Sequence, residues 1–208
     1  RLDEQKAKEA RLNSLREMSK GDVQVRFKVP GLKLSLYNYQ RLGAMYAITN
    51  GSGVLIADEM GLGKTFQALA TALFMKSQGQ ADNALLITPA SLKFNWPLEI
   101  EKFTNEKYVV IDGKADERVA QWLRTDVFFY VVNYELILED LFGGKELKKP
   151  ERKENDDGTK EEPVKFAGRL RKWEERTVEL KKRQRILGPV RRRMWDFISI
   201  DEAHAIKN

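Results

Sequence analysis

Apolar residues in this chain gather into short, nearly continuous runs. Five stand out, at residues 54–57, 85–88, 108–111, 127–132 and 197–200. Unbroken β-branched and aromatic stretches of this length read as strands covered on both faces. Between them, residues 65–77, 91–103, 114–124 and 135–142 carry helical patterning. Strand and helix in turn predict an α/β fold, a mostly parallel sheet with helices on both faces. Ligands of such sheets sit beyond the carboxyl ends of the strands, so chemistry is sought just after each run.

The flanking segments are less regular. Residues 2–18 read as a helix with a thin apolar stripe (Leu2, Leu12, Leu15, Met18) that Gly21 can end. Residues 1–22 are therefore expected to be an N-terminal helix or the remnant of an upstream segment. Residues 23–36 alternate loosely and suggest a short strand, then a loop at Pro30-Gly31. Residues 143–195 interrupt the lobe. Their first half is loop-like, with Gly143-Gly144, Asp157-Gly158 and Pro163. Their second half predicts a helix: Phe166, Leu170, Trp173, Thr177, Leu180, Gln184 and Leu187 share one helix face, and Gly188-Pro189 stops it. The expected organisation is a lobe at 23–142, a charged helical insertion at 143–195, and the end of the lobe at 196–208.

Composition narrows the chemistry. The chain of 208 residues has no cysteine and one histidine, which excludes disulfide scaffolds, cysteine nucleophiles and multi-histidine zinc sites. No run approaches the ~18 apolar residues of a membrane span. Net charge is +6, and its distribution is uneven. Residues 143–195 hold 18 of the 37 basic and 10 of the 31 acidic residues, leaving +8 there and −2 elsewhere. Such a block is either a solvated charged helix or a surface for an anionic partner, most often nucleic acid.

Two motifs follow predicted strands. Residues 54–57 run into Asp58-Glu59-Met60-Gly61-Leu62-Gly63-Lys64-Thr65 and then a helix. Gly61 and Gly63 permit a tight curl that turns backbone N–H groups toward an anion, and the helix N-terminus adds partial positive charge. Lys64 can reach β- and γ-phosphates, and the Thr65 hydroxyl can ligate Mg²⁺. The phosphate-loop pattern G-x-x-x-x-G-K-[ST] fails at its first position, where Asp58 stands. The nucleotide-binding set is Asp58, Met60, Gly61, Leu62, Gly63, Lys64, Thr65 and Phe66. The second motif, Asp201-Glu202-Ala203-His204, follows residues 197–200. Asp201 would hold Mg²⁺, and Glu202 would orient and deprotonate an attacking water. Lys64, Asp201 and Glu202 are the catalytic candidates. His204 is either a packing histidine or a link from the nucleotide site to a neighbouring domain.

Together these two boxes resemble the first RecA-like lobe of Swi/Snf-type helicase-like ATPases of helicase superfamily two. The Asp-Glu-Met-Gly-Leu-Gly-Lys-Thr form accounts for the missing first glycine. Other segments agree in order: Leu36-Tyr37-Asn38-Tyr39-Gln40 is similar to the family's adenine-reading segment, Thr88-Pro89-Ala90-Ser91-Leu92 with Asn95-Trp96 to motif Ia, Val132-Asn133-Tyr134-Glu135 to motif Ib, and Ala205-Ile206-Lys207-Asn208 to the tail after the acidic box. The resemblance covers residues 30–208. It implies a RecA-like P-loop NTPase lobe that uses ATP and Mg²⁺ and moves on double-stranded DNA. It implies that Gln40 reads the adenine edge and that Ser91, Lys93, Asn133 and Tyr134 contact DNA phosphates, which position without reading sequence. Gln67 either faces the nucleotide or lies on a helix surface, and Trp96 reads as core in preference to base stacking. The family's second RecA-like lobe and its transition-state arginine fall outside these residues, so the polypeptide alone is expected to bind ATP weakly and turn it over very slowly. The sequence does not settle the compartment: cytoplasmic if the source is a prokaryote or phage, nuclear if it is a eukaryote. Two other readings stay open, a non-catalytic nucleotide- and DNA-binding fragment and a P-loop ATPase or kinase of another class.

Overall fold

The computed structural model describes residues 6, 10, 13, 27–50, 53–141, 148–154 and 160–203. Seven helices and four strands are described, in the order α1 (Asn38–Asn50), α2 (Lys64–Ser77), β1 (Ala84–Thr88), α3 (Asn95–Phe103), β2 (Tyr108–Val110), α4 (Ala115–Trp122), β3 (Phe129–Asn133), α5 (Tyr134–Leu141), α6 (Pro163–Ile186), α7 (Gly188–Arg191) and β4 (Phe197–Ile200). The strands form one sheet in the order β2-β3-β1-β4. Every pairing is parallel, with Ala84 opposite both Phe129 and Phe197, and Tyr108 opposite Phe129. The expected α/β architecture is thus borne out.

The strand sequences explain the two-sided cover. Along β1 and β3 successive residues point to opposite faces. Ala84, Leu86, Phe129 and Val131 join a core with Phe66, Leu69, Leu73, Trp96 and Ile100 from α2 and α3. Leu85, Tyr130 and Val132 join a second core with Trp122, Ile137, Leu187 and Val190 from α4, α5 and the residues after α6. Helix α2 is rich in Ala and Leu, which favour helix, and it stops where Gly79 takes φ +67°.

Several expectations are corrected. Residues 54–57 make no strand; Leu55 stays 77% exposed. A strand needs a partner ladder, and residues 54–57 pair neither with the open edge of β4 nor with any other described strand. Residues 197–200 form the expected strand, β4, but it is covered on one face only: Phe197 packs against the first core, while Ile198 and Ile200 on the opposite face remain half exposed. In the short stretch 27–36 there is no strand, only an antiparallel bridge from Leu32 to Thr104. The segment 90–94 turns before α3 begins at Asn95. Helix α1 leaves no mark in the apolar periodicity, because its buried residues are Gln40 and Ala44, one polar and one small. The helix expected at 2–18 lies outside the described residues apart from Lys6, Ala10 and Asn13, and so does His204.

The predicted insertion helix is α6, of 24 residues, about 36 Å at 1.5 Å per residue. Its apolar face is only half-buried, and full burial begins at Leu187. An ion-pair cluster docks it. Asp140, fully buried, accepts from Arg118 Nε (2.8 Å), Arg118 Nη2 (2.9 Å) and Trp122 Nε1 (3.0 Å), and its carbonyl accepts from Arg191 Nη2 at 3.4 Å. Arg183 of α6 donates to Glu139 at 2.9 Å. The Asp140 hydrogen bond raises the Arg118 pKa further, so Arg118 carries a permanent buried charge.

Candidate active site

The loop 58–63 is shaped by backbone conformations that side chains resist. Gly61 sits at φ +85° and Gly63 at φ +76°, ψ 44°. Gly63 caps α2, so Lys64 and Thr65 stand on its first turn. A Cβ on Gly63 would lie 2.5 Å from Gln40 Nε2. Lys64 Nζ donates to the carbonyls of Asp58 (2.8 Å) and Glu59 (3.1 Å). Met60 is 91% exposed, whereas Phe66 is buried and stacks on Phe103 at 3.9 Å.

Asp58, where the pattern wants glycine, has a structural task. Its carboxylate accepts from Gln67 Nε2 at 2.7 Å, tying the loop to α2. Gln67 is fully buried, and Gly43 makes room for it: a Cβ there would lie 1.9 Å from Gln67 Oε1. Gln40 braces the loop from the other side. Its Oε1 accepts from the Tyr37 N–H (3.0 Å), and its Nε2 donates to the Leu62 carbonyl (3.1 Å). Each amide end makes one bond, and the oxygen keeps a second lone pair and Nε2 a second N–H, which leaves capacity for an adenine edge. Tyr37, exposed and stacked with Tyr39 at 5.9 Å, is the aromatic surface on the same segment.

The acidic pair closes the other side. The Asp201 N–H donates to the Ile87 carbonyl at 2.8 Å, which continues the β1–β4 ladder past the end of β4. Asp201 Oδ2 accepts from Trp96 Nε1 at 3.2 Å, and its carbonyl accepts from the Tyr134 hydroxyl. Burial, and then the charges of Asp201 and Glu202, raise the Tyr134 pKa, so Tyr134 holds its proton. Glu202 has φ 51°, the one positive value at a non-glycine among the described residues. That conformation costs about 1–2 kcal/mol, and such strain clusters at functional sites.

Lys64, Thr65, Asp201 and Glu202 all line one cavity of about 790 Å³, together with Gln40, Gly61, Gly63 and Trp96. This lies in the size range of small-molecule sites. The two motifs, 136 positions apart from Thr65 to Asp201, thus face one cavity. Among the described residues no cluster of three or more His, Asp or Glu side chains forms a metal cage. One hydroxyl and one or two carboxylates in a shared cavity nonetheless suit Mg²⁺, which keeps several waters and takes oxygens from bound phosphates.

The segments assigned to DNA contact divide. Ser91 is exposed. Lys93 and Asn133 are 4% and 5% exposed and are committed inside the protein. Lys93 Nζ donates to Asp112 Oδ1 (2.7 Å), Asn133 Oδ1 (3.1 Å) and the Ile111 carbonyl (3.4 Å), and Asn133 Nδ2 donates to Glu135 Oε2 at 2.5 Å. This network knits together the loops after β1, β2 and β3. The hydrogen bond from Lys93 lowers the Asp112 pKa, and that from Asn133 lowers the Glu135 pKa. Sequence reasoning missed Asp112, Gln67 as the anchor of Asp58, and Trp96 as a carboxylate partner. Gln67, two residues past Thr65 on the first turns of α2, offered the only local signal.

Fold and site together define a parallel α/β lobe with a phosphate-loop motif and an acidic box on one cavity at the carboxyl edge of its sheet. The family model of the SNF2-related domain matches residues 31–208; the chain belongs to this family. The DNA annealing helicase and endonuclease ZRANB3 of Homo sapiens is 34% identical over 103 residues, 48% of this chain and 9% of that protein. Helicase swr1 of Schizosaccharomyces pombe is 26% identical over 196 residues, 89% of this chain and 11% of that protein. The chain spans about a tenth of the length of these relatives. A solved structure of the Sulfolobus solfataricus SWI2/SNF2 ATPase core in complex with dsDNA matches with TM-score 0.49 and 26% identity, over 56% of this chain and 25% of that one. Among the described residues, no helix is long and apolar enough to cross a membrane.

Proposed function

We propose that this chain is the first, ATP-binding lobe of an ATP-dependent double-stranded DNA translocase or helicase-like remodeller. The observation that carries the reading is the convergence of Lys64, Thr65, Asp201 and Glu202 on one cavity. The Lys64 ammonium exchanges its bonds to the Asp58 and Glu59 carbonyls for the β- and γ-phosphates of ATP. Backbone N–H groups of the glycine curl and the start of α2 orient the same phosphates. Thr65 and Asp201 would hold Mg²⁺, which when bound would offset the charge of the phosphates. Glu202 orients the attacking water and accepts its proton at a carboxylate oxygen. Gln40 supports the loop through Leu62 and meets the adenine with its remaining amide N–H and lone pair.

DNA runs past the carboxyl ends of β1 and β3, where exposed Ser91 contacts a phosphate and the Lys93–Asp112–Asn133 network keeps the loops in register. The partner for hydrolysis is a second RecA-like lobe supplying an arginine, an element worth about 10³–10⁵ in rate. Closing and reopening the two lobes with each ATP would alternate the grip on the DNA backbone.

The test is ATP turnover of the full-length protein, this lobe joined to its second lobe, with and without duplex DNA, beside Glu202→Gln. The reading expects duplex to stimulate turnover, and Glu202→Gln to bind ATP yet lose at least 100-fold in rate, in line with the ~10²–10⁴ contributed by a general base. Indifference to DNA, or full turnover in Glu202→Gln, would reject it and favour the non-catalytic reading.

A further inference from the structure

We propose that Trp96 is a positioning residue for the Asp201 carboxylate: its indole N–H holds one carboxylate oxygen and thereby aims the other at the nucleotide's Mg²⁺. The inference rests on the ATP–Mg²⁺ reading above. Three elements meet at Asp201. The end of β1 takes its N–H through Ile87, Tyr134 at the start of α5 donates to its carbonyl, and Trp96 in the first turn of α3 donates to Oδ2 at 3.2 Å. The two main-chain bonds fix where the side chain starts. Its two torsions remain, and the indole bond selects one orientation of the carboxyl plane.

The chemistry of the donor makes the assignment specific. Indole N–H is a donor only, so Trp96 cannot take up a metal or a proton in place of Asp201. It can only hold Oδ2, leaving Oδ1 for coordination. Trp96 is 3% exposed and packs in the core with Ile100 and Phe103, so the donor is held on a rigid support. A buried indole needs some hydrogen-bond partner. Here the partner is the carboxylate at the cavity and not a nearby backbone carbonyl. Partners of this kind orient metal ligands, and their loss commonly lowers metal affinity 10–100-fold. The bond also joins α3, which follows the exposed Ser91 turn, to the acidic box. A shift of that turn would therefore re-aim the carboxylate.

The test compares the unmodified chain with Trp96→Phe, which keeps the aromatic packing and removes the donor. Binding of a fluorescent ATP analogue is titrated first with chelator and then against Mg²⁺. The proposal expects Mg²⁺-free affinity to stay within about twofold and the Mg²⁺ concentration at half-effect to rise about tenfold or more. An unchanged Mg²⁺ midpoint, with or without a lowered thermal midpoint, overturns the positioning role and leaves Trp96 as core only. If neither form of the nucleotide binds the unmodified chain, the underlying ATP reading falls with it. Should Trp96→Phe not fold, the Trp96 indole ¹⁵N–¹H resonance of the unmodified chain decides the question instead. Movement on adding Mg²⁺ to the nucleotide-bound chain supports the proposal, and indifference to Mg²⁺ overturns it.

Discussion

Gly63 carries more of the account than its absent side chain suggests. It caps α2 in a left-handed conformation, and its missing Cβ leaves room for the Gln40 amide that braces Leu62. Gly63→Ala is expected to cost about 1–2 kcal/mol from the backbone alone and to push Gln40 off the loop. Urea unfolding together with nucleotide titration checks this: stability should fall by that amount and nucleotide affinity with it. Unchanged values for both would mean that the loop does not depend on this cap. At this scale the sequence was legible where chemistry is local. Gly61, Gly63, Lys64 and Thr65 sit within five residues, and their geometry follows from glycine conformation and a helix start. Partnerships through space were not legible. Nothing in the run of residues says that Trp96 reaches Asp201, or that Lys93 is spent on Asp112 and Asn133 instead of facing solvent.

Among the elements, β1 and β3 were readable because continuous apolar runs have one comfortable place, between two layers. Residues 197–200 were legible as a strand with the bounds of β4, but the lack of pairing at 54–57 and the bare outer face of β4 were not, since what lies against an apolar run depends on neighbours that its own sequence does not name. Helix α6 was found by its face, yet what holds it is polar. Arg183 meets Glu139, and Asp140 gathers Arg118 and Trp122. Removing one partner of a buried pair strands the other's charge. Asp140→Ala is expected to destabilise the chain by about 3–5 kcal/mol, and replacing Arg118 and Asp140 together by apolar residues should recover much of that loss. Chemical denaturation of the single and double variants checks it. A near-neutral single variant would show that the cluster does not anchor the helix.

The whole molecule adds charge and pH. The basic block is not a detachable arm, because Leu187 and Val190 within it are core residues. Its anion-binding reading is therefore best tried by neutralising the exposed Lys181, Lys182 and Arg185 in place. If these cations meet DNA phosphates, affinity drops and the slope of log affinity against log salt shallows by up to ~0.9 for each phosphate no longer neutralised. An unaltered slope makes them a solvated face. Acid should loosen the loops at the site. Asp112 and Glu135 have folded pKa values below their ordinary ones. Their contribution to stability is complete above the ordinary carboxylate range and is lost as pH falls through the lower folded values, below about pH 4. Thermal midpoints across pH should show this decline, and Asp112→Asn should flatten it.

The central claim is that Lys64 and Asp201 serve one Mg²⁺–nucleotide. Calorimetric titration of the unmodified chain, Lys64→Ala and Asp201→Asn with ATP, in chelator and in Mg²⁺, tests it most directly. Lys64→Ala should lose affinity about tenfold or more in both conditions, while Asp201→Asn should match the unmodified chain in chelator and lose only the gain from Mg²⁺. Either variant binding Mg²⁺–ATP as tightly as the unmodified chain would contradict the account.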